Sequence, residues 1–311
     1  MTPKLLIAVC GYVAVLTLVP QRSAAQPLDQ LGNRASGLGA FVAVADDASA
    51  VVWNPAGLIN GPIFNILLDF GRTTGDRPQA GAPPRAGRFG HTFLALGVPP
   101  LGLSYSRGRE TAVELADGRE DRQVVVRSMV TSQLGVTVLQ SVAEGLTVGG
   151  TLKLIHGSLN GEGRITGDVD LGAIYSARRM RAGIVARNVT TPTFEAAAVE
   201  MTLDRHVRLG AAWGDSWPGT ATTIVSVDAD LTRVRHATGD RRDVAAGAER
   251  WFRAQRVAVR GGLRASTIDG ARPVASVGGS ISVRSGIYVD VAAARGRGND
   301  ARWSISARLM Y

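Results

Sequence analysis

The side chains that could do chemistry are few and scattered. His91, His156, His206 and His236 show no metal-ligand spacing. Two acid pairs, Asp168/Asp170 and Asp228/Asp230, have the i, i+2 spacing that puts both carboxylates on one face of a strand. Carboxylates so placed could share a proton or hold a hard cation. They could equally form a charge ladder with basic groups on the same inner surface, and that is the account adopted. The ladder comprises Lys153, Asp168, Asp170, Arg181, Arg187, Asp228, Asp230, Glu249, Arg260, Arg264 and Asp290, with Arg208 beside them. Gly37-Leu38-Gly39 opens no βαβ unit and lacks a third glycine, so it makes no nucleotide cradle. No serine elbow is present, and Asn188-Val189-Thr190 fits a glycosylation acceptor only incidentally. The expectation is a non-enzyme with no metal and no cofactor.

The elements that position these residues are short alternating segments. Leu146, Val148, Leu152 and Leu154 fall on one face of a strand, opposite Thr147, Gly149, Thr151 and Lys153. Val169, Leu171, Ala173 and Tyr175 oppose Asp168, Asp170 and Gly172, and Val225, Val227, Ala229 and Leu231 oppose Ser226, Asp228 and Asp230. The pattern predicts about 14 strands, near 63–70, 90–98, 101–107, 128–141, 145–156, 165–176, 180–190, 205–213, 222–232, 243–252, 256–265, 273–283, 286–295 and 301–311. Many approach the roughly 9–11 residues of a tilted membrane strand.

The gaps have a rhythm. Pro99-Pro100, 142–144, 177–179, 253–255 and 284–285 are tight turns, and between them fall the polar connections 71–89, 108–127, 157–164, 191–204, 233–242, 266–272 and 296–300. Turns on one side and loops on the other are the habit of a closed antiparallel transmembrane β-barrel, the all-β fold predicted here. One turn, 214–221 with Trp217-Pro218-Gly219, is longer than this rule allows. Tyr105, Tyr175, Trp213, Trp251, Tyr288, Trp303 and Tyr311 are the candidates for aromatic girdles, a thin set in a chain only 5% aromatic. The 38 glycines suit curved strands. At the end of the chain Trp303, Ile305, Ala307, Leu309 and Tyr311 alternate with polar partners. Trp303, Leu309 and Tyr311 are read as the signal for the barrel-insertion machinery.

Ahead of the strands, Lys4 and the apolar run Leu5 to Val19, broken by Pro20 and followed by Ser23-Ala24-Ala25, read as a cleaved export signal over 1–25. It would carry off Cys10, the sole cysteine, and two of the basic charges behind the formal +9. An exported chain rarely meets nucleic acid, so the remaining arginines are assigned to a watery lumen or to a rim beside anionic headgroups. The organisation is therefore 1–25 signal, 26–62 plug and 63–311 barrel, located in the outer membrane among its lipids.

Residues 33–58 break the alternation. Asp46 reads as a helix N-cap and Asp47 as its dipole partner, with a short helix over Ala48 to Val52 that stops before Pro55. Asn54-Pro55-Ala56-Gly57 reads as a turn. The segment is too apolar for a free tail, so it is placed inside the lumen, where buried Asp46 and Asp47 would need lumen arginines.

The stretch Arg34-Ala35-x-Gly37-x-Gly39-Ala40-Phe41-Val42-Ala43, the Ala45-Asp46-Asp47 centre and the Trp53-Asn54-Pro55-Ala56-Gly57 end resemble the N-terminal signature of the FadL-like outer-membrane superfamily. That superfamily includes long-chain fatty-acid transporters and the PorV/PorQ proteins. The resemblance implies a 14-stranded barrel behind a hatch, with Asp46, Asp47, Trp53, Asn54, Pro55, Ala56 and Gly57 as hatch or gating residues. It also implies, as in the transporters, a lateral way out for apolar ligands. The reading is passive transport of a small hydrophobic molecule. Its rivals are a PorV-like accessory that shuttles or anchors secreted proteins, and a structural barrel without cargo.

Overall fold

The computed structural model describes residues 31–79, 82–116, 123–159, 162–196, 199–217, 221–235, 240–296 and 300–311. The signal segment with Cys10, the pair Pro218-Gly219 and His236 lie outside these residues.

Two short helices come first, α1 (Asn33–Leu38) and α2 (Ala50–Trp53), then a 3-10 turn over Pro55–Asn60. The strands follow as β1 (Asn65–Gln79), β2 (Ala82–Val98), β3 (Leu101–Ala116), β4 (Gln123–Ala143), β5 (Leu146–Leu159), β6 (Glu162–Ala177) and β7 (Met180–Arg187). A separate hairpin, β8 (Thr193–Ala196) and β9 (Val199–Thr202), precedes β10 (His206–Gly214), β11 (Thr223–Asp230), β12 (Asp243–Phe252), β13 (Val257–Ser266), β14 (Val274–Arg284), β15 (Ile287–Gly296) and β16 (Ala301–Met310). Without β8 and β9, the other 14 strands form one closed barrel of sequential antiparallel neighbours, sealed where β1 pairs with β16. Closure leaves no strand edge unpaired, which a β-structure in lipid requires.

Alternation explains the two surfaces. Leu68, Phe70, Leu94, Leu103, Leu134, Leu152, Leu171, Val227 and Ile305 point outward and are exposed, while the residues between them turn inward and are buried. The outside is thus an apolar band and the inside a polar one, inverted from a water-soluble protein. No helix among the described residues is long and apolar enough to cross a membrane, so any crossing is made by strands.

Several expectations are corrected. The connections assigned to 71–89, 108–127 and 157–164 are largely strand: β1 to β6 run 15, 17, 16, 21, 14 and 16 residues, against 8 to 11 in the remaining wall strands. Past the apolar band no lipid imposes alternation, so the pattern fades while backbone pairing continues. The span 191–204 contains the β8–β9 hairpin. Trp251 and Tyr288 belong to no girdle. They share the inward faces of Glu249 and Asp290, and meet edge to face 5.7 Å apart inside the barrel.

The plug fills the lumen because a barrel of this many strands is too wide for its own side chains to fill. Leu38, Phe41, Val44, Val51, Trp53 and Leu58 make one apolar core with the inward residues Leu67, Phe93, Leu139 and Ile224. Phe41 and Trp53 pack edge to face at 5.9 Å, and the Trp53 indole donates to the Leu31 carbonyl at 2.7 Å. α1 is bounded by Gly32 (φ 85) and Gly39 (φ 77), both in the left-handed region that ends a helix without a Cβ penalty. Asp46 does not cap a helix. Ser49 holds the N-cap position of α2, and Asp47 accepts from the Ser49 N–H at 2.9 Å and from its hydroxyl. Asn54-Pro55-Ala56-Gly57 opens the 3-10 turn, with the Asn54 side chain accepting from Ala56 N–H at 3.3 Å and Pro55 where a missing N–H costs nothing.

Candidate functional site

Half of the described plug lies outside any helix, so its backbone polar groups need partners from elsewhere. The wall supplies them. Asp228 accepts from the Phe41 and Val42 amides at 2.7 and 3.1 Å, and Asp69 accepts from the Gly32 amide at 3.0 Å. Ser226 donates to the Ala40 carbonyl and Ser276 to that of Gly37, both at 2.9 Å, and Thr151 donates to Val51 at 3.0 Å. Asn54 ties plug and wall together, since its amide donates to both the Val42 carbonyl and the Ala173 carbonyl of β6 at 3.1 Å.

Backbone can approach the wall this closely because the wall lacks side chains there. Four inward glycine pairs sit directly across from each other on adjacent strands: Gly97/Gly102, Gly149/Gly172, Gly183/Gly210 and Gly247/Gly262. A Cβ on Gly149 would lie 2.8 Å from the Ala56 nitrogen, and one on Gly172 would collide with the Asn54 carboxamide. Cβ atoms on Gly247 or Gly262 would both strike the Leu38 carbonyl. Each pair thus receives one stretch of the plug.

Ion pairs make the second set of ties. Arg34 of the plug forks onto Glu249 with bonds of 2.8 to 3.1 Å and also holds Asp46. Arg181 reaches Asp46 from the wall at 3.3 Å. Arg260 contacts Glu249 at 3.0 Å and Asp290 at 3.7 Å, and Arg308 bonds Asp290 at 2.6 and 2.8 Å. Asp47 lies within 3.9 Å of Arg34 and 3.8 Å of Arg308. Four arginines and four acids therefore form one buried latch, with three members from the plug and five from the wall. Breaking one partner of such a buried pair strands the other, at a cost of roughly 3–5 kcal/mol.

The remaining ladder residues form smaller groups. Lys153 bridges Asp168 and Asp170 at 2.7 and 2.6 Å, so one ladder cation holds both acids. Asp230 binds Arg208 at 2.5 Å and His206 at 2.8 Å, Arg264 faces Asp243 at 3.4 Å, and Arg187 stacks 4.8 Å from the Trp53 ring centre. Among the described residues no cluster has the make-up of a metal site.

Both ends of the lumen carry further cover. The 188–205 connection folds inward, with Phe194 and Leu203 packed on inward Ile155. Its base is fixed by Asp170 accepting from Asn188 N–H at 2.8 Å, and by Asp168 accepting from Thr190 N–H at 3.1 Å and from its hydroxyl at 2.8 Å. At the other end the overlong turn after β10 returns to the lumen, where buried Trp217 lies 3.9 Å from the Arg181 guanidinium. Spacing alone did not reveal Trp217, Arg34, Arg308 or the Asp69–His91 contact at 3.0 Å, although the length of 214–221 was the signal that this turn does something. Trp303, Leu309 and Tyr311 stand on the outward face of β16 and just beyond it.

The closed 14-stranded wall has the fold of known toluene-transporter barrels. The Ralstonia pickettii toluene transporter TbuX matches with a TM-score of 0.67 at 13% identity, over 92% of this chain and 99% of that one. The Pseudomonas putida toluene transporter TodX matches at 0.64 and 11%, over 91% and 99%. The chain has a FadL-like barrel fold. The deltaS2S3 mutant of TodX, described as a monoaromatic hydrocarbon channel, matches at 0.63 and 11%, over 90% and 97%. Residues 158–230 match the family described as the F plasmid transfer operon TraF protein, a span from the end of β5 to β11 that includes the inward-folded connection and the Trp217 turn. No curated protein sequence matches the chain.

Proposed function

We propose that this chain is an outer-membrane barrel giving a small hydrophobic molecule a passive route, with residues 31–62 as its gate. The observation that carries this reading is that the lumen is filled by a separate segment, seated on glycine pairs and bonded to wall side chains. Such a segment can shift without unpairing a single wall strand. The apolar outer band supports insertion in lipid, and Trp303, Leu309 and Tyr311 are assigned to recognition by the insertion machinery. The likeness to toluene transporters supports a ligand of that size and polarity. Asp46, Asp47 and Trp53 to Gly57 act as gating residues on this account, with Asn54 as the hinge contact.

The PorV/PorQ-like reading, an accessory that holds secreted proteins, is favoured by one feature: a plug with this many buried ion pairs has no need to move. Native mass spectrometry of the barrel, extracted gently from its own membrane, separates the two. A retained apolar small molecule, lost in Asn54→Ala, supports transport. A stoichiometric protein partner on an otherwise empty barrel supports the accessory.

A further inference from the structure

A barrel wall is ordinarily convex to lipid, yet one sector here is hollow. A concave groove of 1050 Å³ climbs the outer wall from Leu146 of β5 across β6, β7 and β10 to β13. Its walls are outward side chains, among them Leu209, Val227, Ala229, Val244, Ala246 and Leu263. The alanines at outward positions make the depression, and nearly every surface in it is apolar. Lipid must fill such a hollow or leave a void, and a void forfeits dispersion contacts.

Beyond the groove, four residues past its lining on β10 and β11 and two past it on β12, stand three arginines on the same outward side. Arg205 stands two residues before outward Val207, Arg233 two after Leu231, and Arg242 two before Val244. Pairing continues past the ends of β10 and β11, with Leu231 N–H donating to the Val207 carbonyl at 2.8 Å and the Thr232 hydroxyl to the Arg205 carbonyl at 3.3 Å. Arg205 and Arg233 therefore face each other, with Arg242 on the next strand. Arg205 donates to a backbone carbonyl, that of Val189, and Arg242 to the Thr267 hydroxyl at 3.0 Å. Of the three, Arg233, itself well exposed, pairs among the described residues with a carboxylate, Asp240 at 3.1 Å.

An apolar channel crowned by cations is complementary to one kind of molecule, an amphiphile with an acyl chain below an anionic phosphate. We propose that the groove and its crown bind a phosphorylated anionic lipid of the outer leaflet. The chain would lie over Val227 and Ala229, with the phosphate on Arg205, Arg233 and Arg242. This rests on the membrane-insertion part of the proposed function and not on transport.

The test uses the full chain in nanodiscs of phosphatidylcholine doped with phosphatidic acid, then released for native mass spectrometry. The wild type should retain a phosphatidic acid in preference to phosphatidylcholine. R205A/R233A/R242A should lower that retention by about tenfold, and A229W, which fills the groove and spares the arginines, should lower it too. Equal retention in all three proteins, no preference for phosphatidic acid, or a second copy of the chain in place of lipid would overturn the proposal. A heat-dependent gel shift is recorded for each sample. A wild type without the shift refutes membrane insertion itself, whereas a normal shift with unselective lipid refutes only the lipid site.

Discussion

The Arg181 guanidinium lies 3.9 Å from the centre of the Trp217 ring, and the same guanidinium donates to Asp46 of the plug at 3.3 Å. A turn between two wall strands thus holds an arginine that holds the plug. Trp217→Ala should loosen residues 40–58 without unfolding the barrel, since a partly desolvated cation–π contact contributes about 1–2 kcal/mol. Hydrogen exchange should show faster opening of the plug amides at unchanged protection of β1 to β6. Unchanged plug exchange would mean that the turn is mere filler.

Glu249 takes charge from both Arg34 and Arg260. Glu249→Ala leaves two buried guanidinium groups with fewer partners and should destabilise by roughly 3–5 kcal/mol. Its gel-shift temperature should fall well below that of Arg233→Ala, which removes an exposed pair of typically under 1 kcal/mol. Similar temperatures for the two variants would contradict the latch.

Gly172→Ala should push Asn54 from its seat, because the added methyl occupies the space of the Asn54 carboxamide. Gly150→Ala, on the outward face of the neighbouring strand, meets only ordinary contacts of 3.4 and 3.6 Å and is the control. The expected reading is a plug cysteine that becomes accessible to a water-soluble thiol reagent in Gly172→Ala alone. Equal labelling of both would show that the glycine pairs do not seat the plug.

The strand order and the plug were legible because alternation and its interruption are local signals. What failed were inferences from residue type. The aromatic type of Trp251 suggests a girdle, whereas Glu249, two positions back on the same strand, belongs to the lumen ladder. Strand parity requires the two to share a face. Tyr288 and Asp290 repeat the lesson. Asp46 has the local look of an N-cap, but its partners are Arg34 and Arg181, 12 and 135 residues away, and no local pattern reports them. The glycine pairs needed the register between strands, which spacing along one strand does not contain. The arms of the tall β1 to β6 strands extend past the apolar outer band, where nothing imposes the period of two.

The inward-folded 188–205 connection is tied down by Asp204, which accepts from the Arg235 backbone at 2.8 Å and from its guanidinium at 3.0 Å. Burial pushes the Asp204 carboxyl up, but the Arg235 hydrogen bonds and charge outweigh it and hold the group below the usual carboxylate range. A depressed folded value means the tie is at full strength above the unfolded pKa of about 3.9 and weakens as pH falls through the lower folded value. Exchange protection of residues 199–205 should therefore be flat from about pH 5 to 8 and fall only under stronger acid. Asp204→Asn should remove that acid-dependent step. A loss of protection already near pH 6 would contradict the assignment.

The account's central claim is that the plug is the gate, and locking it is the most direct test. With no other cysteine after residue 10, Ala48→Cys and Gly97→Cys can be joined in a Leu58→Ala background, since a Cβ at position 97 would lie 3.9 Å from the Ala48 Cα and 2.8 Å from the Leu58 Cδ2 that the alanine removes. Toluene entry into intact cells is measured with the barrel absent, present, and present with the plug locked. The account predicts faster entry with the barrel, a return to the barrel-free rate on locking, and recovery with reductant. Entry that is equal with and without the barrel, or unaffected by the lock, would contradict it.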